Sequence, residues 1–229
     1  MDMQWFLLGL LKITLINIVL SGDNAVVIAL ACRNLPGEQQ KKAIFFGSFG
    51  AIALRIVLTF AAVWLLHIPF VQLAGGLLLI WIALKLMKGE DEKGELASSS
   101  ELGVAIKTIL IADLVMSLDN VLAVAGASDG NYALIGLALA ISVPLIIWGS
   151  ALLMRLMKKF PIIIVLGVAL LGYTAGEMIM GDERVAHAAD LLPPVVHGLL
   201  PVLLAVAVVT AGKLITRKQH AVIRQEVQS

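Results

Sequence analysis

Apolar residues run along this chain in long stretches separated by short polar connections. A hydrocarbon core asks for about 20 apolar residues per helix. Seven stretches meet that length, at about 5–31, 42–66, 69–88, 103–127, 131–156, 160–181 and 191–216. The breaks between them carry turn chemistry: Asn34-Leu35-Pro36-Gly37, Ile68-Pro69 and Ser128-Asp129-Gly130-Asn131. The pattern therefore predicts an all-α membrane protein of seven transmembrane helices.

Composition agrees. Hydrophobic residues make up 60% of the chain and charged residues 14%, with a mean hydropathy of +0.97. A soluble domain cannot cover that much apolar surface with so few polar groups. The net charge is +1 and Lys and Arg form no stripe, so a nucleic-acid partner has no support. The single cysteine, Cys32, can make neither an internal disulfide nor a zinc cluster. The first stretch lacks a basic leader and carries Asp23 and Asn24, so it is expected to be a retained helix rather than a cleaved signal.

Charge between the stretches sets the expected orientation. Arg33, Lys41 and Lys42 fill the first connection, Lys85, Lys88, Lys93 and Lys107 flank the third, and Arg155, Lys158 and Lys159 fill the fifth. The tail adds Lys213, Arg217, Lys218 and Arg224. The second and fourth connections have no basic residue, and the sixth has only Arg184 among acids. This alternation places the amino terminus outside and the carboxyl terminus in the cytoplasm.

Shifting the sequence by 96 residues lays Ser21-Gly22-Asp23-Asn24 on Ser117-Leu118-Asp119-Asn120, and Asn17 on Asp113. A shift of 92 lays Pro69 on Pro161, Gly75 on Gly167, Trp81 on Tyr173 and Ala83 on Ala175. Helices one to three thus correspond to helices four to six. With three spans each, the two copies must run in opposite directions, an inverted 3+3 repeat plus a C-terminal helix. The expected organisation is one transmembrane domain, with repeat one at 1–88, a polar cytoplasmic linker at 89–102, repeat two at 103–181, the extra helix at 191–216 and a cytoplasmic tail at 217–229.

Charge at membrane depth is costly, roughly 2.5–3.5 kcal/mol per residue on insertion scales, so Asp23, Asp113, Asp119 and Arg55 stand out in mid-span. At helical spacing Asn17, Ser21 and Asn24 share a face, as do Asp113, Ser117 and Asn120. Asp23 and Asp119 are rotated away from those faces, and a helix break at each Ser-x-Asp-Asn would let the aspartates converge. Carboxylate, amide and hydroxyl oxygens are hard donors that suit Mg²⁺, Ca²⁺ or Mn²⁺. Arg55 is expected to pair with an aspartate rather than to touch a metal. The alternative role for these residues is a buried polar network that locks the two halves together.

At Ser21-Gly-Asp23-Asn24-Ala and Ser117-Leu-Asp119-Asn120-Val the chain resembles the TerC family of bacterial integral membrane proteins. The resemblance implies a secondary transporter of the bacterial cell membrane that exports a divalent metal, chiefly Mn²⁺. It assigns the metal to Asp23, Asn24, Asp113, Asp119 and Asn120, with Asn17, Ser21, Ser117 and Arg55 in support. Where relatives carry an acid this chain has Asn17, so the first half offers less charge. No permanent cofactor is expected. The partners are the lipid bilayer and the cation itself, with a second copy of the chain or contact with the secretion machinery left open. Two other functions compete: export of small organic cations or amino acids, and a membrane interaction protein assisting metallation of secreted proteins. No Ser/His/Asp or Cys/His set and no phosphate loop points to an enzyme.

Overall fold

The computed structural model describes residues 9–11, 13–15, 21–66, 68–88, 98–127, 132–189 and 194–228, with the backbone but not the side chains described for 60, 62–66, 98–100, 119, 121–127, 132–135, 187–189, 194–197 and 218–228. Asn17, the turn at 128–131 and most of the linker, 89–97, lie outside the described residues.

The described elements are helical throughout: α1 (Gly22–Cys32), α2 (Gly37–Leu66), α3 (Val71–Lys88), α4 (Ser98–Ala127), α5 (Tyr132–Lys159), α6 (Ile162–Gly181), α7 (Glu183–Ala189) and α8 (Pro194–Gln228). Prolines punctuate as expected. Pro36 precedes α2, Pro69 lies two residues before α3, and Pro161 stands at the N-cap of α6. Pro144 and Pro201 lie inside α5 and α8, a placement membrane helices accommodate through local adjustment and neighbouring helices.

Five helices among the described residues are long and apolar enough to cross a bilayer: α2, α3, α5, α6 and α8, through Gly37–Thr59, Val71–Lys88, Gly136–Lys159, Ile162–Gly181 and Gly198–Arg217. They answer to five of the seven expected spans. The other two expected spans are those that carry Ser-x-Asp-Asn. As described, α1 has 11 residues, and α4, at 30 residues, carries Asp113 and Asp119 along its length. Two further differences concern boundaries. The polar tail is helical through Gln228 as a continuation of α8, and α4 begins inside the expected linker, at Ser98.

The chain forms two compact units, each drawn from both halves of the sequence. One comprises residues 1–69 and 94–159, the other 70–93 and 160–229. In the first unit α2 packs along α4, α1 packs on α5 and α4, and α2 also meets α5. Small residues let the helices close up, as is usual where lipid removes the hydrophobic drive between helices. A Cβ at Gly47 or Gly50 of α2 would meet Ile109 or Leu110 of α4 at 2.8 Å. Leu139 and Ile13 are fully buried in one apolar cluster with Ile52 and Ala138.

The second unit holds α3, α6, α7 and α8, with α6 packed on both α3 and α8. Its glycines are tighter still. A Cβ at Gly76 would lie 2.7 Å from the Ala175 carbonyl oxygen, one at Gly172 2.9 Å from the Ala205 backbone, and one at Gly176 would collide with Pro201. Asp182, counted in the sequence as a loop charge, is buried here and caps two helices. Its Oδ2 accepts from the Leu73 N–H at the start of α3 (3.2 Å), and its Oδ1 from the Arg184 N–H at the start of α7 (3.1 Å). A carboxylate at two helix N-termini satisfies amides that have no partner within their own helices. Large apolar side chains such as Phe49, Trp148, Trp81 and Leu166 stand exposed, the surface a helix offers to lipid.

Candidate functional site

The first unit contains an ion pair at membrane depth. Arg55 lies in the middle of α2, whose spanning stretch offers no other charge beyond Glu38, Lys41 and Lys42 at its start. Its guanidinium donates from Nη2 to Asp113 Oδ1 of α4 at 2.6 Å. The two side chains are 3% and 5% exposed, so neither charge has bulk water to fall back on. Such a pair persists only when its remaining hydrogen-bonding positions are also met.

The two serines of the repeated motif meet part of that need. Arg55 Nε donates to Ser117 Oγ at 3.0 Å, and Arg55 Nη1 donates to Ser21 Oγ at 3.0 Å. Ser117 in turn donates to Asp113 Oδ2 at 3.3 Å, closing a ring of three side chains, Arg55, Asp113 and Ser117, to which Ser21 is joined through Arg55. Asp113 and Ser117 are one turn apart on α4 and so share a face, as their spacing predicted, and the structure turns that face to Arg55 of α2. Lower on α2, Thr59 donates to the Arg55 carbonyl at 2.8 Å. One planar fork thus gathers a hydroxyl from each copy of the motif and a carboxylate from the second copy.

The two copies differ in backbone. In the first, Ser21 is the N-cap of α1, with φ −104° and ψ 3°, and Gly22, Asp23 and Asn24 form the first turn. The serine hydroxyl makes no capping bond to its own helix; it is turned to Arg55 instead. Asp23 is half-buried, accepts the Asn24 N–H at 2.8 Å, and lies within Coulombic range of Arg55 and Asp113. In the second copy α4 runs unbroken through Ser117-Leu118-Asp119-Asn120. The expected helix break at each Ser-x-Asp-Asn is therefore corrected for the second copy: only the first copy stands at a helix start. The reason is local. Leu118, a strong helix former, replaces the permissive Gly22. Ser117 and Asp113 also spend their hydrogen bonds on each other and on Arg55, leaving them no call on the backbone. The orphan amides of the α1 start suit the Asp23 carboxylate, since a helix N-terminus favours negative charge.

Asn24 is the least satisfied member. It is buried, and among the described residues neither its Oδ1 nor its Nδ2 has a hydrogen-bond partner. Buried amides almost always find partners, so an empty pair of such atoms marks a place where a ligand oxygen or cation would be welcome. Asn120 is half-buried on α4, and the Asp119 side chain and Asn17 lie outside what is described. Among the described residues, no three of His, Cys, Asp and Glu are gathered as a metal cluster. The structure thus brings together Arg55, Asp113, Ser117 and Ser21, with Asp23 and Asn24 on the adjoining turn. Sequence reasoning anticipated an aspartate partner for Arg55. It missed that both motif serines bind the same guanidinium, because no periodicity reports which side chains meet across helices.

The sequence matches the family model described as "Integral membrane protein TerC family" over residues 3–220. Among curated proteins it is similar to "Uncharacterized membrane protein YjbE" of Bacillus subtilis (strain 168), 47% identical over 90% of this chain and 94% of that one. It is also similar to "UPF0053 inner membrane protein YgdQ" of Escherichia coli (strain K12), 30% identical over 74% of this chain and 79% of that one. No solved structure matches.

Proposed function

The chain belongs to the TerC family of integral membrane proteins, and from that premise we propose that it is a secondary transporter exporting a divalent metal ion, Mn²⁺ foremost, from the cytoplasm. The observation that carries this reading is the buried network of Arg55, Asp113, Ser117 and Ser21, with Asn24, unpartnered among the described residues, beside it. Intramembrane carboxylates that do not face lipid mark ion pathways by default. The oxygen donors on offer are hard ones, and Mn²⁺ accepts carboxylate, carbonyl and hydroxyl oxygen. In this reading Asp23, Asn24, Asp113, Asp119 and Asn120 hold the ion, with Asn17, Ser21, Ser117 and Arg55 arranging them.

The proposal includes seven spans built as an inverted repeat. Packing supports it. If helices one to three answer to four to six, α1 on α5 answers to α4 on α2, and both contacts occur within the first unit. In the second unit α3 packs on its own counterpart, α6. The pairing is what an exchange of the two halves would leave unchanged.

The test is intracellular manganese in a manganese-sensitive bacterium expressing wild type, Asp23→Asn or Asp119→Asn. Wild type is expected to lower the metal content and rescue growth, and each variant to lose most of that effect. If all three lower Mn²⁺ equally the site is misassigned. If none does, export of Mn²⁺ is wrong and the other two functions return.

A further inference from the structure

We propose that Arg55 is the resident counter-cation of the empty carrier, a positioning residue whose guanidinium holds Asp113 until a metal ion displaces it. This rests on the transport reading above and adds to it a competition for one carboxylate. Both oxygens of Asp113 are engaged in the structure, Oδ1 by Arg55 Nη2 and Oδ2 by the Ser117 hydroxyl. A divalent cation that takes Asp113 as a ligand therefore competes with both for the carboxylate's charge and lone pairs. The guanidinium is the one that leaves, because it and the metal are like charges competing for one carboxylate in a region of low dielectric, where repulsion is strong.

The same fork ties the two motif copies together, since Ser21 belongs to the first and Ser117 to the second. Dislodging Arg55 removes the one side chain that Ser21 and Ser117 share, while Ser117 keeps its hydrogen bond to Asp113. Asn24, one turn along from Ser21 and without a hydrogen-bond partner among the described residues, gains a cation for its carbonyl oxygen. Loading the ion and untying the two copies become one event. The argument also covers the return journey. An empty carrier with Asp113 charged and alone at membrane depth would face a steep cost. Arg55 supplies the compensating charge, so the carrier can reset without carrying metal back.

An exchange assay separates this role from simple scaffolding. The full chain in proteoliposomes is assayed with Mn²⁺ itself for net efflux, for Mn²⁺–Mn²⁺ exchange and for equilibrium binding. Arg55→Gln is expected to bind Mn²⁺ about tenfold more tightly, because an internal competitor has been removed. Its net efflux should fall at least about tenfold while exchange persists, since exchange does not require the unloaded carrier to reorient across the membrane. Arg55→Lys keeps the charge without the planar fork and should recover part of the net efflux. Parallel loss of net efflux and exchange in both variants, or net efflux surviving in Arg55→Gln, overturns the proposal. If Arg55→Gln does not fold, Arg55→Lys decides alone: net efflux slowed more than exchange supports the proposal, and equal slowing overturns it. Wild type that moves no Mn²⁺ overturns the export reading, and this one with it, a result distinct from an active wild type whose variants show no split.

Discussion

At the scale of single residues, the decisive contact is Arg55 with Asp113. Removing one partner of a buried pair leaves the other charge stranded, at a cost of about 3–5 kcal/mol, while an apolar pair of similar volume is often tolerated. Asp113→Leu is therefore expected to lower thermal stability in detergent sharply. Arg55→Met combined with Asp113→Leu should be markedly more stable than the Asp113→Leu single variant. Additive losses in that cycle would show that the two side chains are not energetically coupled. Ser117→Ala removes one hydroxyl from the ring and should cost roughly 1 kcal/mol. The ion pair was legible in the sequence, because one arginine among apolar residues and a mid-span aspartate have few other ways to share a membrane. The double hold on Ser21 and Ser117 was not. Helical spacing tells which residues share a face, and says nothing about which face looks at which neighbour.

At the scale of elements, the sequence was readable where it carries punctuation. Pro36-Gly37, Pro69 and Pro161 mark starts that the helices respect. It was less readable where chemistry competes with the backbone. The same Ser-x-Asp-Asn stands at a helix start in one copy and inside a continuous helix in the other, and the residue that separates the outcomes is Gly22 against Leu118. Helix packing follows a simpler rule and yields a prediction. Gly76 and Gly172 sit where a side chain would press on the backbone of a neighbouring helix, whereas Gly37 and Gly103 have open space around them. Gly76→Val and Gly172→Val should each destabilise the protein by about 1–3 kcal/mol through overpacking. Gly103→Ala should be neutral or slightly stabilising, since alanine is the better helix residue. Melting curves in one detergent decide it. Equal behaviour of all three variants would mean that close helix approach does not matter to this fold.

At the scale of the whole molecule, orientation is the property on which the transport proposal most depends. An exporter with an inverted repeat needs its two copies to cross the bilayer in opposite senses, and that follows only if the number of spans per copy is odd. The basic residues argue for it. Lys41 and Lys42 open α2, Lys85 and Lys88 close α3, and Lys158 and Lys159 close α5. All three clusters fall on one side only if α2 and α3 together make a hairpin, α5 returns to the same side, and α4 crosses between them. With α1 also crossing, the proposal puts the amino terminus outside and the end of α8 inside. Alkaline-phosphatase or fluorescent fusions placed after Arg33, Ile68, Gly94, Lys159 and Ser229 test this arrangement. Arg33, Gly94, Lys159 and Ser229 should report the cytoplasm and Ile68 the outside. A cytoplasmic signal after Ile68, or an external one after Gly94, would remove a span from the first copy. The copies would then run parallel, and the inverted repeat on which the proposed site is built would be lost.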